Sequence, residues 1–170
     1  MTSPGTAQGL TDAIDTPLYV VTAEADGERS GCLAGFVTQA SIQPVRFLIC
    51  ISKVNHTFGV AEKAHHLALH ALGSDQHDVA TLFGAQTGDD TDKFSQVQWS
   101  RGVGGSPVLA SCAAWVEGTI LNRMSAGDHE AFLVSVDDGG PGPAAGCLML
   151  SAAADIEAGH PVSAADQGPP

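Results

Sequence analysis

Residues 41–57 read SIQPVRFLICISKVNHT, and this stretch decides the fold prediction. Residues 46–53 form a near-continuous apolar run, which is typical of a β-strand covered on both faces. Pro44 comes shortly before the run and favours a strand start there. The polar residues 52–57 follow, and a short helix is predicted at residues 57–64 with Asn55 or Thr57 as its cap. The stretch therefore predicts a buried strand that ends in a polar turn at the start of a helix.

Similar β-rich runs occur along the rest of the chain, separated by turn residues. One lies at residues 18–22 and leads to Asp26-Gly27, which predicts a tight hairpin because glycine tolerates a positive φ. A second short helix is expected at residues 76–84. The remaining features are strands at residues 30–38, 108–121, 131–136 and 147–150, and a Gly-rich connection at residues 99–107. Many short strands and few helices predict a mainly β fold, either an antiparallel barrel or a sandwich.

The length of 170 residues fits one domain with tails. Residues 1–14 and 158–170 are rich in small, polar, Gly and Pro residues, and we expect both to be flexible tails. Residues 15–157 are then the folded domain. The 44% of hydrophobic residues against 15% of charged residues supports a filled core rather than disorder.

Charge and motif content exclude several classes of function. Seven Lys and Arg against nineteen Asp and Glu give a net charge of −12, so we expect neither nucleic acid nor an anionic membrane as a partner. The four cysteines form no C-x-x-C pair, and residues 1–15 lack the basic start and apolar stretch of a signal peptide. No apolar run reaches the length of a membrane span. A cytoplasmic protein with reduced thiols is therefore expected.

Three clusters of polar residues are candidates for chemistry. The turn at residues 52–57 leads into a helix start, which suits a phosphate, although ordinary capping by Asn55 explains it equally and is the simpler interpretation. Gly127-Asp128-His129 precedes a predicted strand, where Asp128 would fix one tautomer of His129; the alternative is a turn with a solvated imidazole. His66 and His70 fit one face of a helix or a strand alternating with Leu, and a metal site there is the minority interpretation. No metal ligand set is predicted.

These segments, taken in order, resemble the flavin reductase-like family, whose members have the FMN-binding split-barrel fold. The motifs that carry the resemblance are S-x-x-P at residues 41–44, the strand at 47–51, the polar turn at 52–57, Q-x-x-l-A-x-x-F at 76–83, D-K-F at 92–94, P-x-L at 107–109 and G-D-H at 127–129. The resemblance as a whole covers roughly residues 15–150. The resemblance also implies that residues 66–72 are a strand. The fold class implied is a mainly β, Greek-key-like antiparallel split barrel with a few short helices.

The resemblance further implies an NAD(P)H-dependent flavin reductase that binds FMN, with FAD as a second option and NADH or NADPH as hydride donor. The implied flavin-binding residues are Leu33, Ala34, Gly35, Phe36, Ser41, Ile51, Ser52, Lys53, Asn55, His56 and Thr57, of which Lys53, Asn55, His56 and Thr57 would hold the phosphate. His129 is the expected catalytic residue and would contact the nicotinamide with Asp128, and Phe94 would wall the open face of the ring. A homodimer with flavin near the subunit boundary is also implied, together with a flavin-dependent monooxygenase as the user of reduced flavin.

Two departures from the family pattern keep other functions open. Leu33, Ala34, Gly35 and Phe36 stand where the family commonly has hydroxyl residues, and residues 148–151 replace an aromatic final strand containing Arg and Gly. The first alternative is a non-catalytic protein of the same fold that binds flavin, deazaflavin or haem. The second is a structural or interaction module without a ligand.

Overall fold

The computed structural model describes residues 4–87 and 91–159. Antiparallel β-sheet is the main regular structure of this part of the chain, and it is accompanied by a few short helices. The helices are α1 (Gln8–Ala13), α2 (His56–Ala61) and α3 (His77–Ala85). The strands are β1 (Tyr19–Ala25), β2 (Glu28–Ala34), β3 (Val37–Ile42), β4 (Val45–Ser52), β5 (His66–Ala71), β6 (Trp99–Arg101), β7 (Pro107–Leu109), β8 (Ala114–Ser125), β9 (His129–Val134) and β10 (Asp138–Pro141). The mainly β prediction is confirmed.

The main sheet curls around a core. Its strand order is β2-β1-β5-β8-β9-β4-β3, and β10 pairs with β8. The strands at the two ends of this order, β2 and β3, are consecutive in the chain and joined by Gly35 and Phe36. The Cys50 N–H donates to the Phe36 carbonyl at 2.9 Å. The two ends of the sheet therefore meet at the corner where β2 passes into β3, without a ladder of hydrogen bonds between β2 and β3.

The β1–β2 hairpin forms at the predicted dipeptide. Asp26 and Gly27 have φ values of 54° and 82°, as a two-residue turn with two positive φ angles requires. Strand β4 also forms as predicted, with Ile49 and Ile51 fully buried. Within the single chain only this face of β4 is buried, since Leu48 and Cys50 on the other face are half-buried. The expectation that both faces are covered is thus not met by one chain alone.

Two hydrophobic cores lie on opposite faces of the sheet. The first is inside the curled sheet and contains Val21, Ile49, Ile51 and Phe132 packed against helix α2. The second lies outside, between β1 and α3, and includes Val20, Leu72 and Phe83. Alternate residues of β1 enter different cores because successive side chains of a strand point to opposite faces.

Four predicted elements differ in the structure. The predicted strands at residues 30–38 and 108–121 are each interrupted, at residues 35–36 and 110–113, and form two strands apiece. Residues 147–150 are not a strand: a single bridge joins Met149 to Pro17, and the chain then forms a 3-10 turn at Leu150–Ala153. The apolar pattern there reflects burial of Leu148, not a ladder. Residues 99–107 were expected to be an irregular connection, but Trp99–Arg101 and Pro107–Leu109 pair as a hairpin. Its Gly-rich turn is stabilised by a buried carboxylate, which local sequence does not reveal.

The predicted tails lie partly outside the described residues, which exclude residues 1–3 and 160–170. Within the first tail, Gln8–Ala13 forms a short helix without a buried residue. The second tail begins at residue 158, and its residues 158 and 159 still contact the end of α3, where Gly159 N–H donates to Gly84 O at 3.0 Å. In the part of the chain that the structure describes, no helix is long and apolar enough to span a bilayer.

Candidate functional site

An apolar cavity of about 320 Å³ lies at the corner where β2 passes into β3, beside the end of β4. Its volume is within the range of small-molecule and cofactor sites, about 300–1,000 Å³. Most of its walls are apolar side chains, and polar groups occur at one end. It is lined by Leu18, Cys32, Leu33, Ala34, Gly35, Phe36, Cys50, Ile51, Ser52, Val54, Asn55, Asp128, His129 and Leu150.

The polar end of the cavity is formed where β4 and β9 meet. Ser52 and His129 are opposite each other in the β4–β9 register. His129 Nδ1 donates to Asp128 Oδ1 at 2.8 Å, so its Nε2 is the ring nitrogen left for a ligand. That hydrogen bond lowers the pKa of the Asp128 carboxyl below its ordinary value. The ring of the exposed Phe36 lies 5.2 Å from the His129 ring, so both stand at the cavity mouth.

The polar turn after β4 is held mainly by internal bonds. The Thr57 N–H donates to Asn55 Oδ1 at 2.9 Å, so Asn55 caps α2 in the ordinary way. Thr57 is buried, and its hydroxyl is 2.8 Å from Ser30 Oγ. Lys53 Nζ donates to Ser125 Oγ at 2.7 Å, in the turn between β8 and β9. Of these groups only Asn55 lines the apolar cavity.

A second cavity, of about 420 Å³, lies beyond the same turn and is lined largely by charged and polar groups. Its lining residues are Gly27, Glu28, Arg29, Ser30, Gly31, His56, Thr91, Asp92, Lys93 and Phe94. His56 Nε2 is 2.8 Å from Glu28 Oε1, and Arg29 lies 3.7 Å from Asp92 and 5.0 Å from the Trp99 ring. Two of its three basic side chains thus have carboxylate neighbours.

Lys93 is the exceptional residue of this second cavity. Its side chain is 4% exposed, and Nζ donates to the carbonyls of Gly31 and Phe83, each at 3.1 Å. Burial lowers the pKa of this lysine. Both acceptors are neutral, so a charged Lys93 has no anionic partner among its hydrogen bonds. A buried ammonium group of this kind favours an anion in the adjoining space.

The two cavities adjoin through consecutive residues. Cys32 lines the apolar cavity and Gly31 the polar one, and the same relation holds for Asn55 and His56. Segments 31–32 and 55–56 thus contribute residues to both cavities. This combination of an apolar slot and a neighbouring cationic pocket is the main chemical feature of the molecule.

The sequence-predicted residues divide between the two cavities. Those lining the apolar cavity are Leu33, Ala34, Gly35, Phe36, Ile51, Ser52, Asn55, Asp128 and His129. His56 and Phe94 line the polar cavity instead. Ser41 pairs with Arg46 at a bulge in β3 and lines neither cavity, as is also true of Lys53 and Thr57.

Thirteen lining residues of the two cavities were not predicted, among them Leu18, Arg29, Lys93 and Leu150. Lys93 belongs to the D-K-F motif, so a signal for it was present in the sequence. Leu18 and Leu150 come from distant segments that meet through backbone bonds of β1, and no local pattern marks Arg29.

His66 and His70, the pair considered for a metal site from the sequence, have structural contacts. His70 is fully buried, its Nδ1 donates to Val20 O at 2.9 Å, and its Nε2 accepts from Leu109 N–H at 3.1 Å. His66 lies on β5, which confirms a strand for this segment, and its Nε2 is 3.8 Å from Asp137 Oδ2. Across residues 4–87 and 91–159, no three His, Cys, Asp or Glu side chains are placed to hold one metal ion.

Comparison with known proteins gives consistent matches. A family model described as "flavin reductase like domain" matches residues 11–151. The stachydrine N-demethylase reductase subunit Stc3 of Rhizobium meliloti (strain 1021) is 32% identical over 118 residues, which are 69% of this chain and 50% of that protein. The chain thus spans half the length of this curated relative. FMN reductase (NADH) RutF of Pseudomonas syringae pv. syringae is 28% identical, with 76% of this chain and 70% of that protein covered.

A solved structure supports the same relation. The NADH:FAD oxidoreductase SgcE6 of Streptomyces globisporus C-1027, in complex with NAD and FAD fragments, superposes with a TM-score of 0.76 at 26% identity. The match covers 90% of this chain and 93% of that one.

Proposed function

Because the chain belongs to the flavin reductase like domain family, we propose that it is an NAD(P)H-dependent flavin reductase that binds FMN. The observation that supports this function best is the apolar cavity with a cationic pocket at its side. An isoalloxazine ring needs an apolar slot with a few polar groups, and a ribityl phosphate needs cations or N–H donors. The residues of both cavities fit these two requirements.

The apolar cavity is proposed to take the ring. Leu33, Ala34, Gly35 and Phe36 form one wall, and Ile51 contributes to the opposite wall at the end of β4. Their side chains offer no hydroxyl group, so polar contacts to the ring come from main-chain groups and from the polar end at Ser52 and His129. Gly35 lets the main chain approach a planar ligand closely, since it has no Cβ.

The second cavity is proposed to take the phosphate. Lys93 supplies a buried ammonium group whose hydrogen bonds within the described residues go to two neutral carbonyls, and Arg29 and His56 supply two more basic groups. This proposal differs from the assignment made from sequence, in which Lys53, Asn55, His56 and Thr57 held the phosphate, and it keeps His56 from that set. Lys53 and Thr57 have internal partners, and Asn55 is the cap of α2.

The flavin, when bound, supplies the redox chemistry by accepting a hydride from a reduced nicotinamide. The protein orients the two rings and excludes water from between them. His129 stands at the cavity mouth with Nδ1 bonded to Asp128, so we propose that its Nε2 binds the nicotinamide carboxamide and sets the angle of approach. Asp128 acts through His129 as a positioning residue.

Several finer features belong to this proposal. NADH as donor is supported by the names of RutF and SgcE6, which also support FMN and FAD respectively as flavins. NADPH is the alternative hydride donor. The curled sheet with adjoining end strands supports the split-barrel description. A cytoplasmic location stays a prediction from the sequence.

A homodimer is proposed from the outer face of β4 and β9. Leu48 and Leu133 are opposite each other in the register, as are Cys50 and Ala131, and Met124 of β8 is opposite Ala131. We call the surface formed by Leu48, Cys50, Met124, Ala131 and Leu133 the outer face. Leu48, Cys50 and Leu133 are half-buried and Met124 is 58% exposed, so a second chain would cover apolar groups here. Cys50 also lines the apolar cavity, so the partner would lie near the ring.

The user of reduced flavin is proposed to be a flavin-dependent monooxygenase. The support is that a relative is a reductase subunit of an N-demethylase, a name that implies a second component. No side chain in the described structure identifies that component.

Anaerobic reduction tests the function. Protein, FMN and NADH are mixed without oxygen, and the loss of flavin and nicotinamide absorbance is followed. Bleaching of both bands at a rate proportional to protein concentration is expected. Bleaching no faster than without protein would contradict a reductase; if FMN still bound, the non-catalytic binder suggested by the hydroxyl-free 33–36 segment would be favoured.

A further inference from the structure

The end of the described chain closes one side of the apolar cavity. Residues 147–159 run from the start of β1 to the end of α3, and we call them the closing segment. The Leu18 N–H donates to Leu148 O at 2.8 Å, and the Gly159 N–H donates to Gly84 O at 3.0 Å. Two side-chain bonds hold the middle: Ser151 Oγ to Asp15 at 2.6 Å, and His77 to Asp155 at 2.9 Å. The segment is thus fixed along its length.

The closing segment also forms a small side cavity of about 160 Å³. Four residues line both this side cavity and the main apolar cavity, namely Leu18, Leu33, Asn55 and Leu150. The further walls are Phe83, Gly84, Ala153, Ile156 and Ala158. The side cavity therefore adjoins the main cavity, and its walls are apolar residues and glycine except for Asn55, whose Oδ1 already accepts from the Thr57 N–H.

Part of this extension lies outside the residues that the family model matches. The family match ends at residue 151, and three of the walls, Ala153, Ile156 and Ala158, follow that residue. Gly84 allows the walls to come together, since a Cβ there would lie 2.9 Å from Leu33 Cδ2 and 3.3 Å from Ile156 Cγ2.

The two ends of the main cavity differ in polarity, which orients a flavin. The end at Ser52 and His129 offers polar groups, whereas the end at Leu18 and Leu150 is apolar and continues into the side cavity. The pyrimidine edge of isoalloxazine carries carbonyl and N–H groups, and the benzenoid edge carries only methyl groups. Burying unpaired polar groups is costly, so the benzenoid edge belongs at the apolar end.

We infer that the side cavity is a subsite for apolar substituents on the benzenoid edge of the flavin, and that Ala153 and Ile156 set the size of substituent accepted. This inference rests on the proposed function, because it needs a flavin ring in the main cavity. It extends that function to a chemical class of ligand, namely flavins enlarged at position 8.

The probe is an FMN analogue in which a dimethylamino group replaces the 8-methyl group. Dissociation constants of FMN and of the analogue are measured by absorbance or fluorescence titration, so no turnover is needed. Wild-type protein is expected to bind both within about threefold of each other. Ala153→Leu fills the side cavity. It is expected to raise the dissociation constant of the analogue by about tenfold, while that of FMN changes by less than about threefold.

Ala152→Leu is the matched control, because Ala152 precedes Ala153 in the same turn but is exposed. It is expected to leave both constants unchanged. Ile156→Ala enlarges the side cavity and is expected to lower the dissociation constant of the analogue relative to that of FMN. This second variant keeps the inference testable if Ala153→Leu fails to fold.

The outcomes separate the inference from the function. Normal FMN binding with rejection of the analogue by wild-type protein overturns the inference alone. So does equal weakening of both flavins in Ala153→Leu, or an unchanged ratio in Ile156→Ala. Failure of the wild-type protein to bind either flavin overturns the proposed function and the inference with it.

Discussion

At the scale of single residues, His129 is expected to affect the nicotinamide more than the flavin. His129→Ala removes one hydrogen bond to the donor and is expected to lower kcat/KM for NADH by about tenfold. The dissociation constant of FMN should change by less than about threefold. Asp128→Asn, which keeps His129 but weakens its orienting bond, should give an intermediate loss. A large loss of FMN affinity in His129→Ala would contradict this role.

Lys93 is expected to recognise the phosphate and not the ring. Lys93→Met keeps the length of the side chain and removes its charge, so FMN affinity should fall by about tenfold or more because a charge-assisted bond is lost. Riboflavin has no phosphate and should bind the variant as it binds the wild type. Titration of both flavins separates the roles, because a purely structural Lys93 would weaken both equally. Lys63→Met, on the surface, is the matched control.

His70 is expected to make stability depend on pH. Burial lowers the pKa of His70 from 6.5 to about 4, so the unfolded chain takes up a proton before the folded chain does. The contribution of neutral His70 to the free energy of unfolding is therefore complete above pH 6.5. It decreases by about 3 kcal/mol in total as the pH falls toward 4. Urea unfolding across this range should show the decline, and His70→Gln should reduce its slope. An identical slope in both proteins would sink this explanation.

Local sequence patterns predicted the structural role of a residue only where that role depends on its immediate neighbours in the chain. Asn55 as a helix cap and Asp26-Gly27 as a turn follow from rules about neighbouring residues. Most ring-cavity candidates followed from the family resemblance, and the structure places nine of them around one cavity. The hydrogen bond between the Thr57 hydroxyl and Ser30 could not be predicted, because Ser30 is distant in the chain.

At the scale of elements, the β6–β7 hairpin depends on a buried carboxylate. Glu117 is fully buried on β8 and accepts from the N–H groups of Gly104 at 2.9 Å and Ser106 at 2.8 Å. Glu117→Gln places an amide donor against one of these N–H groups and should lower the free energy of unfolding by about 1–3 kcal/mol. Urea denaturation measures this, with the exposed Glu62→Gln as control. Equal stability of the two variants would refute the anchoring role.

This hairpin also explains why one element was missed in the sequence. Residues 99–107 are rich in glycine and indicate a loop, yet a Cβ at Gly102 or Gly104 would overlap Glu117 or His66. The glycines are needed for close packing against β8 and β5. Strands β1 and β4, by contrast, contain apolar runs whose pattern alone predicts them.

At the scale of the whole molecule, self-association depends on the outer face. Met124→Lys places a charge within this surface and is expected to weaken dimerisation by about tenfold or more. Sedimentation measurements at several concentrations would show a shift toward the monomer. Leu10→Lys changes an equally exposed apolar residue on α1 and should have no effect. A wild-type protein that stays monomeric at all concentrations would contradict the proposed homodimer.

The overall architecture was predictable because spacing and order of the motifs are properties of the whole chain. The position of residues 147–159 was not, since it depends on backbone bonds of Leu148 to Leu18 and Leu72. The net charge of −12 excluded nucleic acid in the sequence analysis but gave no indication of the local cationic pocket at Lys93.

A crystal structure of the protein soaked with FMN tests the central claim most directly. We predict isoalloxazine density in the apolar cavity between residues 33–36 and Ile51, with the phosphate beside Lys93 and Arg29. Density for the ring outside this cavity, or a phosphate bound away from Lys93, would contradict the account.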